Sequence, residues 1–412
     1  MFRSCNRFTR YLGRTSLALC LSIPLVAGAQ ESLKIGLSGP FTGGSAPMGS
    51  SMRLGIRMAV EEINEYVGGV LGRRIELVER DDEANPLKGA AIAQELIERE
   101  KVVATVGIVN TGVGLASIDH YQKARVPLLV AVSTGSELTA RHAPSAERKS
   151  FVFRVSPRTG VSNLFLARHL VKDRGLQRIA ILADDTGYGE AERADLEAAL
   201  AGFGVQPVAV QRFAIGDRDM KKQLAAAQRA EAQAVVMFGI GPELAAIARD
   251  RAAMGWSVPL YGSWTVQMRN VLDQAGAAGE GVMAVQTFIP GSQNTRHRQF
   301  VEDFRRRYGD EAMESAMSAA QGYDAMRLLF SALVTAGSAD GERIRTALEQ
   351  LDRGVEGVVT TYIRPFSDRD HDAITENMLV LGVVRNGRVD YAFAEDARRS
   401  VALRRKQAAE AR

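Results

Sequence analysis

Cysteine is nearly absent. Of 412 residues only Cys5 and Cys20 carry a thiol, and both fall within the first 29 positions. Without those positions the chain has no disulfide, no thiol nucleophile and no cysteine-ligated metal. Histidine is also sparse: His120, His142, His169, His297 and His371 are scattered with no i,i+4 pair. Such spacing does not make a zinc site, so no metal or other cofactor is expected. Catalytic signatures are missing as well. There is no G-x-S-x-G elbow and no Walker A loop, and Gly239-Ile240-Gly241 lacks the third glycine of a dinucleotide fingerprint. The expectation is recognition rather than catalysis.

Long apolar runs are lacking too, apart from residues 17–26. That run follows Arg3, Arg7, Arg10 and Arg14, with no acid among them, and precedes Ala27-Gly28-Ala29. A basic start, a short apolar stretch and a small-residue site form a secretory signal, and the run is too short to span a bilayer. We place the signal peptide at 1–29, with cleavage after Ala29 and export to the periplasm. Cys20 is a poor lipid-attachment site, because Leu17 and Leu19 crowd the positions before it. The formal charge of +4 belongs to this leader, since removing its four arginines leaves 48 basic against 48 acidic residues. Charge therefore gives no ground for a nucleic-acid or membrane partner.

The remaining chain of roughly 380 residues has the length of two domains of ordinary size. Its organising stretch is 102–139. An apolar run at 102–106 leads into Gly107-Ile108-Val109-Asn110-Thr111, a helical pattern continues to about Arg125, and a second apolar run at 126–132 leads into Ser133-Thr134. In a parallel sheet, ligands bind outside the carboxyl ends of strands, which places these two loops side by side. Each offers a hydroxyl and backbone N–H groups near a helix start, a receptor suited to a carboxylate.

Around it the chain repeats one rhythm. Strands are expected near 33–38, 74–80 and 151–155, with helices at 50–66 and 86–99. A second series alternates helices at 161–172, 190–200, 220–229 and 243–254 with strands at 178–183, 207–213, 234–238, 258–261 and 281–286. Three helices follow at 295–308, 315–336 and 340–351. Strands are then expected at 355–363, 378–384 and 388–393, the last two joined by an Asn386-Gly387 hairpin. Alternating β and α elements imply parallel sheets covered by helices. The fold class is α/β, with two Rossmann-like lobes and a cleft between them. The tail beyond Ala394, with Arg398, Arg399, Arg404, Arg405 and Lys406, reads as a frayed, solvated helix.

The sequence resembles the periplasmic solute-binding proteins of branched-chain amino acid ABC importers. The features that carry this are Gly39-Pro40, the run 55–64 ending Ala59-Val60-Glu61-Glu62-Ile63-Asn64, Gly68-Gly69-Val70-Leu71-Gly72, and Asp81-Asp82. They continue with 107–116, Val126-Pro127-Leu128-Leu129, Ser133-Thr134, Glu137-Leu138-Thr139 and Tyr188-Gly189. The ordered set spans nearly all of the chain after the leader. By resemblance the fold is a type I periplasmic binding protein, with three hinge crossings near Val155, Ile289 and Ile374. Lobe one would then comprise 30–155 plus 290–373, lobe two 156–289 plus 374–394, and 395–412 a basic tail. The implied partners are a small-molecule ligand and inner-membrane ABC permease subunits, with no nucleic acid.

The resemblance also implies a site. Asn110, Thr111, Val132, Ser133 and Thr134 match positions that hold the ligand carboxylate, Met48 matches the residue before the first helix, and Tyr188 matches a lobe-two tyrosine. Two positions depart from the family. Ile240 stands where an aromatic residue is usual, and Trp264 aligns with the acid that holds the ammonium group of an amino acid. A buried ammonium without a negative partner is costly, whereas an indole offers an apolar face. The expected ligand is therefore a carboxylate or amide without an α-amino group, in reach of an aromatic stack, unless Asp184 or Asp185 supplies the charge. Two other classes share these features: a ligand-sensing module for a receptor, and a hydrolase built on Ser133.

Overall fold

A computed structural model describes residues 31–402 and 405–406. Residues 1–30, which include the expected signal segment 1–29, and most of the last ten residues lie outside the described residues. The first series runs β1 (Leu33–Gly39), α1 (Ala46–Glu62), β2 (Ile75–Asp81), α2 (Pro86–Glu98), β3 (Ala104–Gly107), α3 (Thr111–Ala124), β4 (Leu128–Val130), α4 (Glu137–Ala140) and β5 (Val152–Arg154). The second runs α5 (Thr159–Arg168), β6 (Ile179–Asp184), α6 (Gly187–Gly202), β7 (Ala209–Phe213), α7 (Lys221–Arg229), β8 (Ala234–Phe238), α8 (Glu243–Ala253), β9 (Leu260–Gly262), α9 (Arg269–Ala275) and β10 (Met283–Gln286). The chain closes with α10 (Thr295–Tyr308), α11 (Ala316–Ala336), α12 (Gly341–Glu349), β11 (Val355–Glu356), β12 (Thr361–Tyr362), β13 (Val380–Arg385), β14 (Arg388–Tyr391) and α13 (Ala394–Arg399).

Two sheets result. The first has the order β2-β1-β3-β4-β5 and is parallel throughout. The second has the order β14-β13-β10-β9-β8-β6-β7, parallel from β10 to β7, with β13 and β14 added antiparallel. Strands such as β6 and β8 are buried along their whole length because helices cover both faces. The chain passes between the sheets three times: after β5, after β10 and before β13. At two of these crossings the strands touch, since Arg154 bridges to Asp372. This is the type I periplasmic binding protein fold.

Several elements differ from expectation. α1 starts four residues before the expected Ser50, since Pro47 sits in its first turn where a missing N–H costs nothing. The expected strand at 355–363 is a hairpin of two two-residue strands. Asp324 makes that turn, accepting hydrogen bonds from the backbone N–H groups of Val358 and Val359 and from the Tyr362 hydroxyl. The stretch after β9 adds a 3-10 turn at Trp264–Gln267 and then α9, neither of them expected. The turn between β13 and β14 has Asn386 at φ 49° and Gly387 at φ 68°, as an Asn-Gly hairpin requires. The tail is less free than expected: α13 is exposed, but Lys406 is tied down by Pro365, Asp370 and Asp372.

Candidate functional site

The loops at the ends of β3 and β4 meet as hydroxyl against hydroxyl, with Thr111 Oγ1 3.1 Å from Ser133 Oγ. Gly135 permits this approach: a Cβ there would lie 2.3 Å from Thr111 Cγ2. Asn110 is the N-cap residue of α3 but makes no capping bond; its Nδ2 donates to Ser45 Oγ at 3.1 Å and its Oδ1 has no partner. The first N–H groups of α3 therefore remain unclaimed by a side chain, which favours an anion. Thr134 Oγ1 is buried and unpartnered.

Behind these loops Arg154 is fully buried and donates from Nη1 to the carbonyls of Thr134, at 2.9 Å, and Gly135, at 2.7 Å. Met48 and Val132 sit among apolar core side chains.

The second lobe faces these loops through the start of α6. A Cβ on Gly187 would lie 3.3 Å from the backbone of Gly112, so the two helix starts touch across the cleft. Ser136 Oγ donates across it to Asp195 Oδ2 at 2.6 Å, and Met317 N to Gln267 Oε1 at 3.0 Å. The arrangement is closed. Tyr188 is buried, and its hydroxyl bonds Ser263 Oγ, which is 3.1 Å from Thr265 Oγ1.

Between the lobes lies a cavity lined by Thr134, Glu192, Ser263, Trp264, Gln286 and Met317, among others. Its volume is about 10 Å³, room for roughly one water-sized group. Larger hollows lie away from these loops, one of about 720 Å³ beside the β13–β14 hairpin. Of the residues expected at the site, the cavity joins Thr134 to Trp264. Tyr188 reaches it through Ser263, and Thr111 and Ser133 form the adjoining loop pair.

Among the lining residues that were not anticipated, two are buried polar groups of consequence, Glu192 and Gln286. Glu192 is fully buried one turn after Tyr188, and Asn163 Nδ2 donates to its Oε2 at 2.6 Å. Burial pushes its carboxyl up to about 8, with Asp195 and Asp184 adding to the effect and Asn163 and Tyr188 opposing it. A signal existed: Tyr188, Glu192, Leu196 and Leu200 form one i,i+4 stripe whose other members are hydrophobic and buried. Gln286, at the end of β10, is 1% exposed and neither atom of its amide has a partner. No periodicity marks it.

The acids weighed earlier have other work. Asp184 Oδ1 accepts from Thr186 N, Thr186 Oγ1 and Gly189 N, holding the start of α6, and burial pushes its carboxyl up to about 6. Asp185 is exposed. Asp81 holds the loop after β1 through Phe41 N at 2.8 Å and Thr42 Oγ1 at 2.8 Å, and Asp82 accepts from Ser38 Oγ at 3.0 Å. No cluster of three metal-ligating side chains occurs among the described residues. No helix among them is long and apolar enough to cross a membrane.

Comparison with known proteins places this geometry. The family model described as periplasmic binding protein matches residues 32–388. A leucine-, isoleucine-, valine-, threonine- and alanine-binding protein of Pseudomonas aeruginosa is 25% identical over 350 residues, which cover 84% of this chain and 89% of that one. A leucine-binding protein from Thermotoga maritima superposes with a TM-score of 0.74 at 27% identity, covering 88% of this chain and 99% of that one. An ABC transporter solute-binding protein from R. palustris, in complex with benzoate, gives a TM-score of 0.74 at 22% identity over 88% of this chain and 96% of that one, a likeness of fold.

Proposed function

We propose that this chain, which belongs to the periplasmic binding protein family, is the exported solute-binding component of an ABC importer and takes a small carboxylate without an α-amino group. The observation that carries the reading is the hydroxyl pair of Thr111, at the start of α3, and Ser133, whose neighbour Thr134 shares the interlobe cavity with Trp264. The carboxylate lies against the α3 N-terminus, held by Asn110, Thr111, Ser133 and Thr134. The indole of Trp264 stacks on an aromatic or flat ligand body, a contact worth about 0.5–1.5 kcal/mol beyond area burial. The benzoate-bound neighbour gives the same fold a ligand of this class.

Lobe one comprises 30–155 plus 290–373 and lobe two 156–289 plus 374–394. Residues 1–29 direct export and are removed near Ala29. The volume of the closed cavity means that a ligand enters only when the lobes part. Closure then selects the liganded population, which inner-membrane permease subunits recognise.

A second reading has one specific support. An ionised Glu192 is an alternative partner for an ammonium group, and the P. aeruginosa relative is named for amino acids. A thermal-shift panel on the mature protein separates the two, setting leucine, isoleucine, valine and glutamate against benzoate-type acids, keto acids and short fatty acids. A ligand at about 100 times its dissociation constant adds roughly 2.7 kcal/mol. Response to acids without an amine, lost in Trp264→Ala, supports the first reading. Response to amino acids alone overturns it in favour of the second.

A further inference from the structure

We infer that Ser136 and Asp195 form a latch between the lobes that involves no ligand atom, with Asp195 as the positioning residue that holds the loop after β4 in its closed place. The inference rests on the two-lobed capture reading above. Tyr188, Glu192 and Asp195 recur at i, i+4 and i+7 on α6 and so share one face of that helix. Asp195 Oδ2 accepts from Ser136 Oγ at 2.6 Å and also from the Thr159 hydroxyl. Ser136 follows Thr134 and Gly135 in the loop after β4, and Thr159 begins α5 just past the first crossing.

The two hydroxyls need this carboxylate. Ser136 N donates to Thr159 Oγ1 and Gly160 N donates to Ser136 Oγ, both at 3.1 Å. Each hydroxyl oxygen therefore already accepts from a backbone N–H, and each hydroxyl proton is left to find an acceptor. Asp195 is that acceptor for both. The same loop caps α5 from the other lobe: Arg158, the N-cap residue, makes no side-chain capping bond, and Thr134 O takes Thr159 N at 2.8 Å while Ser136 Oγ takes Gly160 N.

Neither Ser136 nor Asp195 lines the interlobe cavity. Their bond thus favours the closed arrangement by the same factor whatever the ligand is. When the lobes part, α6 moves with lobe two and the Ser136 hydroxyl exchanges a charged acceptor for water. Hydrogen bonds to a charged group keep a net advantage over water where neutral ones keep little.

Distances between spin labels on the free mature protein test this. The chain after residue 29 has no cysteine, so Leu87→Cys and Ile215→Cys, both exposed and one on each lobe, carry the labels alone. Asp195→Ala and Ser136→Ala should each raise the ratio of open to closed molecules about tenfold, the factor that corresponds to one bond to a charged group. Asp195→Asn keeps an acceptor oxygen without the charge and should restore part of the closed population. A residue that only stabilises α6 would lower the melting temperature and leave the label distances unchanged. A melting curve establishes that each variant is folded, and Ser136→Ala stands alone if Asp195→Ala is not.

Gly187→Trp tells the two possible failures apart. A Cβ at Gly187 already lies 3.3 Å from the Gly112 backbone, so a side chain of that size props the lobes open. If Gly187→Trp lengthens the label distance while Asp195→Ala and Ser136→Ala keep that of the wild type, the latch is overturned and the capture reading stands. If Gly187→Trp leaves the distance unchanged as well, the lobes do not part, and the capture reading fails together with the latch.

Discussion

Fully buried Arg154 and half-buried Asp372 form an ion pair, Nη2 to Oδ1 at 2.6 Å, which joins the strand leaving the first sheet to the last crossing between lobes. Burial alone would raise the Asp372 carboxyl, but the guanidinium beside it outweighs that and holds it below the usual range. The same guanidinium carries the carbonyls of Thr134 and Gly135 and bonds Thr139 Oγ1 at 2.7 Å. One side chain thus ties the hinge to the loop expected to hold the carboxylate. Arg154→Met strands a half-buried carboxylate, and removing one partner of such a pair costs up to about 3–5 kcal/mol. Urea unfolding should show that loss, and adding Asp372→Asn should recover part of it. If the two losses are simply additive, the residues are not coupled.

Glu192 makes the stability of the unliganded protein depend on pH. Its buried carboxyl titrates near 8, so from the ordinary carboxylate range up to that value the folded chain keeps a proton that the unfolded chain has released. Stability therefore falls as pH rises through this window, by up to about 1.4 kcal/mol per pH unit for one such group. Asp324 is pushed the same way, to about 7, by burial, and contributes a similar slope to any variant that retains it. The readout is the difference between profiles: melting temperature from pH 5 to 8 should decline less steeply in Glu192→Gln than in the wild type. Parallel profiles would remove Glu192 as a titrating group.

Gly135→Ala tests whether the two hydroxyl loops act as a unit. The new methyl would stand 2.3 Å from Thr111 Cγ2 and 3.2 Å from Thr111 Oγ1. Crowding of this kind costs about 1–3 kcal/mol, and tenfold in affinity corresponds to about 1.4 kcal/mol. The melting temperature of the free protein should fall by a few degrees, and, if the displaced Thr111 hydroxyl holds ligand, affinity should drop about tenfold by calorimetry. An unchanged affinity would mean that the Thr111–Ser133 contact plays no part in binding.

Legibility in the sequence followed local punctuation. The helix expected at 295–308 has those bounds because Asn294 caps it, accepting from Arg296 N at 2.9 Å, and Gly309 at φ 87° ends it. The strand at 234–238 is five consecutive buried apolar residues and has the expected bounds. Residues 264–279 were missed because their turns are too short to develop a 3.6-residue period. At the site, the loops at strand ends could be read from spacing, because topology alone places them together. Glu192 and Gln286 could not be placed from motif matching. One is a polar residue on an otherwise apolar helical stripe and the other ends a strand at a hinge, and only the packing of the second lobe brings both to one cavity. The absence of an acid at position 264 therefore did not settle the charge of the cleft.

The basic tail shows the converse error, since its composition suggested solvation and the fold gives Lys406 a socket. Its Nζ donates to Pro365 O at 2.7 Å, Asp370 Oδ2 at 2.7 Å and Asp372 O at 2.6 Å, and the neighbouring Arg405 carbonyl accepts from Asn377 Nδ2 at 2.8 Å. Earlier in the tail, Val401 O accepts from Asn294 Nδ2 at 2.9 Å. These partners lie on the segments that lead into and out of two of the crossings, so Val401, Arg405 and Lys406 each contact a segment next to the hinge. Lys406→Ala removes three hydrogen bonds from a charged donor whose side chain is 13% exposed. The expected loss is about 1.5–3 kcal/mol, the range for bonds to charged groups. Thermal unfolding should record it, and hydrogen exchange should quicken at residues 365–377 while the core strands of β6 and β8 keep their protection. If exchange there is unchanged, the lysine is a surface contact and the hinge stands without it.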